Sequence, residues 1–135
     1  MTDWNHKDIW RKHGHNFLIE VSRHAVDYEN PDNDGPNRWA VYAYVYPQHP
    51  HFAKFKGNHM WQEAATDMPM HGGPSRLQRH FDDDHAIASY EVGCDYSHLH
   101  DSVYTRMETA EDARAVFNDA QELFDWLTAR SGFVP

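Results

Sequence analysis

The chain has 135 residues, 40% of them hydrophobic, and a formal net charge of −9. This length and composition fit a single globular domain, residues 1–135, and the net charge argues against a partner such as duplex nucleic acid that is held mainly through its backbone phosphates. No apolar run approaches the ~20 residues that a bilayer requires, so we expect no membrane partner.

The first half of the chain predicts one helix followed by two strands. Residues 3–13 fit a short helix with aromatic side chains on one side. His15 to Val26 alternates apolar with polar residues, which predicts a strand. The turn-forming residues 30–37 predict a hairpin that leads into a second strand, Arg38 to Tyr46.

The second of these strands carries a row of tyrosines. Strand alternation places Trp39, with three small or β-branched residues, on one face and the tyrosines on the other. The row has two interpretations: a strand that is buried on both faces, or a surface on which a flat ring stacks. The tyrosines are Tyr42, Tyr44 and Tyr46.

The second half predicts a hairpin and a long helix. After an extended loop over Pro47 to Asn58, two strands are expected at Ser75 to Phe81 and Ala86 to Cys94, joined by a turn at residues 82–84. From Thr109 to Arg130, apolar residues recur with helical spacing. The elements together predict an α+β fold, an antiparallel sheet of four to five strands with a long C-terminal helix packed on one face.

Two short segments carry chemical groups suited to a site. Asp95, His98 and Asp101 follow the last predicted strand and bring two carboxylates and an imidazole close together in sequence. Upstream, His71-Gly72-Gly73 contains paired glycines, which either let backbone N–H groups approach an anion or form a plain tight turn. Because the intervening hairpin returns the chain beside its starting point, we expect both segments to line one pocket.

The N-terminus and the cysteine content indicate a cytoplasmic protein. Residues 1–6 lack the basic and then apolar order of a signal peptide. The single cysteine, Cys94, cannot form an internal disulfide, as expected in a reducing compartment. Its position in an apolar strand favours a buried thiol over a catalytic nucleophile.

The order of these motifs resembles a group of small phage and prophage proteins. The shared pattern is an aromatic strand that leads to His49-Pro50, then His71-Gly72-Gly73, then Gly-x-Asp-x-x-His-x-x-Asp at residues 93–101, and then a C-terminal helix. It covers residues 40–127. Small phage proteins of this size often counter host immunity, and some sequester nucleotide signals. The resemblance therefore implies a protein that acts in the cytoplasm of the host cell.

The first hypothesis for function is a binding protein that captures a small phosphorylated ligand, such as a nucleotide immune signal. The glycine loop and either Arg76 or Arg79 would hold the phosphate, a carboxylate would accept from ribose hydroxyls, and an aromatic ring would stack on the base. The ligand-binding candidates are Trp39, Tyr44, His71, Gly72, Gly73, Arg76, Asp95, His98 and Asp101.

Two alternatives belong to other classes of protein. In a metal-dependent hydrolase, Asp95, His98 and Asp101, with His71, would bind a divalent transition metal as cofactor; the same residues could also only hydrogen-bond each other. In an acidic protein-inhibitor module, the negative surface would block a basic cleft. The sequence leaves open whether the chain forms a homo-oligomer.

Overall fold

The computed structural model describes residues 7–25, 35–55, 65–96 and 102–132. In these residues, five strands form one antiparallel sheet in the order β1-β2-β3-β5-β4, which confirms the predicted α+β class. The strands are β1 (Lys7–His13), β2 (Phe17–Ala25), β3 (Asn37–Val45), β4 (Arg76–Phe81) and β5 (Ile87–Asp95). The helices are a 3₁₀ helix (Pro50–Phe55), α1 (Ser102–Thr105) and α2 (Arg114–Ala129). No helix in the described ranges is long and apolar enough to cross a membrane.

The N-terminal segment corrects the sequence prediction, which placed a helix over residues 3–13. Residues 7–13 form β1 and pair along their whole length with β2. Trp10 then stacks on Trp39 of β3, with ring centroids 5.6 Å apart, and meets Phe117 of α2 edge to face at 5.2 Å. A short helix is marginal by itself, and here the pairing and aromatic contacts of a strand outweigh it.

The hydrophobic core lies between the sheet and α2, as predicted. On α2, Val116, Leu123 and Leu127 are fully buried. They face the side of the sheet that carries Phe17 and Val41, which we call the helix face. Burial of this apolar stripe is the main favourable term that holds α2 on the sheet.

The C-terminal helix begins later than the sequence predicts. The expected start was Thr109, but α2 begins at Arg114. Thr109 instead closes a separate turn: its Oγ1 accepts from the N–H of Asp112 at 3.1 Å and its backbone oxygen accepts from the N–H of Ala113 at 3.0 Å. The hydroxyl therefore satisfies backbone donors ahead of the helix and does not cap the helix itself.

The segment predicted as an extended loop over residues 47–58 contains the 3₁₀ helix, with Pro50 at its first position, where a missing N–H costs nothing. The buried His49 precedes it. Its Nδ1 accepts from the N–H of His51 at 3.0 Å, so Nε2 carries the proton and donates to the backbone oxygen of Leu127 at 2.9 Å. The imidazole thus ties this connection to the last turn of α2.

His49 should make stability depend on pH. Burial lowers the pKa of His49 below the ordinary value of 6.5, because a buried imidazolium loses the hydration of its charge. Below about pH 6.5 the unfolded chain binds a proton there that the folded protein does not, so stability is full above that pH and falls as pH decreases, until the folded pKa is reached. Denaturation between pH 8 and 5 should show a shallower decline for His49→Gln than for the unaltered protein. The exposed His13→Gln is the control, and an unchanged slope in His49→Gln would contradict this assignment.

The hairpin between β4 and β5 turns where the three aspartates predict it. The Oδ1 atom of Asp82 accepts from the N–H groups of Asp84 and Ala86 at 2.9 and 3.0 Å. His85 takes a positive φ of 63°, which completes the turn. The register shifts between His80 and Phe81, at the last pairs of the ladder. β4, the first strand of this hairpin, lies at one edge of the sheet.

Candidate functional site

The face of the sheet opposite α2 carries a connected set of polar side chains. The described helices contact the helix face, where for example Phe55 of the 3₁₀ helix stacks on Tyr90 at 4.6 Å. Alternation along the paired strands brings polar residues from all five strands to the other side. We call this side the tyrosine face; it comprises Arg11, Glu20, Tyr42, Tyr44, Arg76, Gln78, His80, Glu91 and Asp95.

Glu91 lies at the centre of the tyrosine face. Its Oε2 accepts from Nε of Arg76, and its Oε1 accepts from Nε2 of His80 at 2.7 Å. A second guanidinium nitrogen of Arg76 donates to Oε1 of Gln78. The bond to Glu91 raises the pKa of Arg76 above its ordinary value, so the guanidinium is a permanent cation.

Two tyrosine rings lie beside Arg76 and His80. The guanidinium carbon of Arg76 is 6.0 Å from the ring centroid of Tyr42, and the His80 ring is 6.0 Å from that of Tyr44. Burial raises the pKa of Tyr42, and burial followed by the charges of Glu20 and Glu91 raises the pKa of Tyr44 to about 12. Both phenols therefore stay neutral at physiological pH, and their half-buried rings can stack and hydrogen-bond.

The absence of a side chain at Gly93 makes room for one of these rings. β5 runs through this glycine without a break, directly opposite Tyr42. A Cβ added to Gly93 would lie 2.3 Å from Cδ1 and 2.7 Å from Cε1 of the Tyr42 ring. The ring therefore lies across the backbone of β5, and glycine is needed there for close approach.

The charges of the tyrosine face are layered. The side chains of Arg11, Arg76 and His80 are 55, 51 and 42% exposed, whereas the carboxylates that they contact, Glu20 and Glu91, are only 8 and 5% exposed. Arg11 reaches its partner Glu20 at 2.9 Å. Although the whole chain carries −9, this part of the surface presents the guanidinium groups of Arg11 and Arg76 outward and keeps the carboxylates of Glu20 and Glu91 beneath them.

The His-Gly-Gly loop lies at one end of the sheet, beside the end of β5. The His71 ring stacks on Tyr96 with centroids 4.3 Å apart and planes at 15°, and it meets Tyr104 edge to face at 5.3 Å. Tyr96 and Tyr104 flank residues 97–101. The loop therefore lies against Tyr96 and Tyr104, while His98 and Asp101 of the predicted Asp/His segment lie outside the described residues.

Asp95 and His71 occupy opposite faces of the sheet. Tyr96, on which His71 stacks, donates its hydroxyl to Asp119 of α2 at 2.7 Å, on the helix face. Asp95, one residue earlier, pairs with Ala40 on the tyrosine face and accepts from the Ser75 hydroxyl at 3.4 Å. The described ranges contain no group of three or more His, Cys, Asp or Glu side chains that could hold a metal ion. The metal hypothesis therefore depends on His98 and Asp101 and stays a prediction.

The two glycines of the loop form a tight turn, one of the two interpretations of the motif. Gly72 and Gly73 have φ values of 68° and 81°, and the N–H of Gly73 donates to the backbone oxygen of Met70 at 3.0 Å. An adjoining cleft of about 270 Å³ is lined by residues that include the carboxylates of Asp119 and Glu122. One N–H of the loop is therefore already in use, and the cleft beside it is acidic.

Trp39 requires a correction. The sequence offers it as a ring that stacks on a ligand, but its side chain is fully buried on the helix face between Trp10 and Phe117. Its indole N–H donates to the backbone oxygen of Met107 at 2.9 Å. Trp39 is thus a core residue. Cys94 is also buried, and burial raises the pKa of its thiol to about 11, as the strand interpretation requires.

Sequence reasoning placed Tyr44, Arg76 and Asp95 in a site and missed Glu91 and His80. Glu91 was the available signal, because it is an acidic residue within an otherwise apolar strand. The alternation of Arg76, Gln78 and His80 on the partner strand was a second signal. Only the register of the hairpin, with Gln78 opposite Glu91, shows that the side chains of Arg76 and His80 reach one carboxylate.

Comparison of the chain with protein-family models, with curated proteins and with solved structures finds no match. The functional assignment therefore rests on the geometry of the described residues.

Proposed function

We propose that this chain is a binding protein that holds a small phosphorylated ligand with a planar ring, such as a nucleotide, on the tyrosine face. The observation that carries the proposal is the layering of charge, with Arg76 and His80 exposed above the buried Glu91. An anion that approaches this face meets the exposed guanidinium of Arg76 before the buried carboxylate of Glu91. Beside Arg76 and His80, Tyr42 and Tyr44 supply neutral aromatic surface.

In this proposal Arg76 binds the phosphate. A guanidinium offers several N–H donors in a planar fork that matches phosphate oxygens. Arg76 is already fixed by its bonds to Glu91 and Gln78, so it loses little further side-chain freedom when the ligand binds. Its half-exposed position leaves the outer side of the guanidinium accessible.

The ring of the ligand stacks against Tyr44, and Asp95 accepts from its sugar hydroxyls. Base–aromatic contacts of this kind contribute about 1–3 kcal/mol per ring in nucleic-acid complexes. Asp95 lies on the same face at the end of β5, two residues after Gly93. For His98 and Asp101, which lie outside the described residues, ligand binding stays the prediction made from the sequence.

Capture without chemical change is the proposed activity. In the form implied by the resemblance to small phage proteins, the captured ligand is a nucleotide signal of host defence. Native mass spectrometry of freshly purified protein should show a stoichiometric ligand, and denaturation should release it unaltered. Recovery of a cleaved product would favour the hydrolase hypothesis instead. The inhibitor hypothesis stays a prediction as well.

Loss of the guanidinium should weaken binding of a phosphorylated ligand. We expect the unaltered protein to bind AMP more tightly than adenosine in calorimetric titrations, because only AMP carries a phosphate. Arg76→Gln should weaken AMP binding by about 10–100-fold, since hydrogen bonds between charged groups contribute about 1.5–3 kcal/mol, and it should change adenosine binding little.

The matched control is Arg79→Gln, the same substitution on the same strand. Arg79 pairs with Tyr90, whose side chain lies on the helix face, so this variant should bind AMP as the unaltered protein does. If both variants weaken AMP binding equally, the effect comes from the loss of one positive charge and not from the position of Arg76. If the unaltered protein binds neither AMP nor any other phosphorylated nucleotide, the proposed function is wrong.

A further inference from the structure

We infer that Glu91 is a positioning residue: one carboxylate oxygen holds the Arg76 guanidinium in place for the phosphate of the ligand, while the other oxygen is held by His80. The inference rests on the proposed function and adds to it a residue that does not itself contact the ligand.

The geometry places one carboxylate between two hydrogen-bond donors of the edge strand. Arg76 and His80 lie on β4, on either side of Gln78, which pairs directly with Glu91 on β5. From these two positions the side chains converge, one on each oxygen of the same carboxylate. An arginine on an edge strand would otherwise sample many rotamers in solvent.

Because Glu91 is buried, its function in this inference is to orient other side chains. Its side chain is 5% exposed, so its carboxylate lies beneath the two groups that a ligand would meet. A buried carboxylate requires donors for both of its oxygens, and it orients Arg76 and His80 at once. Donors that are oriented before binding keep more of their interaction energy for the ligand.

The test replaces Glu91 with glutamine and follows two probes, AMP and adenosine, by calorimetry. E91Q keeps the shape of the side chain and removes its charge. We expect AMP affinity to fall by about tenfold or more and adenosine affinity to stay within about twofold. The nuclear magnetic resonance signals of Arg76 Nε–H and of the His80 ring should shift in the absence of any ligand, which a general loss of stability would not produce selectively.

The control is D8N, which breaks another carboxylate–arginine pair, the 2.8 Å contact between Asp8 and Arg23, away from the tyrosine face. It should leave the affinity for both probes unchanged. If E91Q does not fold, E91D decides: it keeps the charge but is one methylene shorter, so it should also lose affinity for AMP selectively.

The outcomes separate this inference from the proposed function. If the unaltered protein binds AMP and the folded Glu91 variants bind it equally well, the positioning role is wrong and the proposed function stands. If the unaltered protein binds no phosphorylated probe, both are overturned. Selective loss of AMP binding together with shifted Arg76 and His80 signals supports both.

Discussion

Replacement of Trp39 by alanine should lower the free energy of unfolding by about 3–5 kcal/mol, the range for loss of a large buried aromatic side chain. The indole is fully buried, stacks on Trp10 with centroids 5.6 Å apart and contacts Phe117 at 6.0 Å. It joins β1, β3 and α2, so its removal leaves a cavity where the three elements meet. The backbone oxygen of Met107 also loses its donor. Urea denaturation with a two-state fit measures the change.

Two further variants make this result specific. Phe81→Ala also removes a large aromatic side chain from a strand, but that side chain is 58% exposed, so its loss should cost less than about 1 kcal/mol. Trp39→Phe keeps part of the ring and loses the N–H donor, so its cost should lie between the other two. A loss below about 1 kcal/mol for Trp39→Ala would mean that the sheet and α2 do not pack as described.

Replacement of Gly93 by alanine should destabilise the protein by about 1–3 kcal/mol, the usual cost of overpacking. The new Cβ would lie 2.3 Å from the Tyr42 ring and 3.3 Å from the backbone oxygen of Val41, and the contact with the ring is shorter than Cβ atoms tolerate. The ring cannot stay in place, so the surface beside Arg76 changes shape. We therefore expect G93A to weaken AMP binding as well.

A double-mutant cycle identifies the cause of this effect. In the background of Tyr42→Ala the clash is absent, so adding G93A should cost less than about 0.5 kcal/mol. The difference between the two backgrounds is the energy of the contact between the added methyl group and the ring. Equal costs in both backgrounds would show that Gly93 is needed for its backbone and not for the space that it leaves.

The strands and the long helix were predictable because their patterns are local and regular. In β3, buried and half-buried side chains alternate from Val41 to Val45, and in α2 the apolar stripe repeats with helical spacing. β1 was not predictable in this way. Its strand character comes from pairing with β2 and from the contact between Trp10 and Trp39, which no local pattern encodes.

The candidate site was likewise predictable only in part. The residue types of Arg76, Tyr44 and Asp95 indicated chemistry without any structure. Which of them share a face depends on strand parity, and parity separates Asp95 from His71 although both were expected to line one pocket. The meeting of Arg76 and His80 at Glu91 depends on hairpin register, which a turn of three aspartates does not specify.

The rate at which the buried thiol of Cys94 is alkylated can measure how often the sheet opens. It is the single cysteine of the chain, lies on β5 opposite Val41, and has a pKa of about 11. Because alkylating reagents attack the thiolate, labelling requires an excursion that exposes this strand to solvent. The labelling rate under native conditions therefore reports how often the sheet opens around β5, without an added probe and without denaturant.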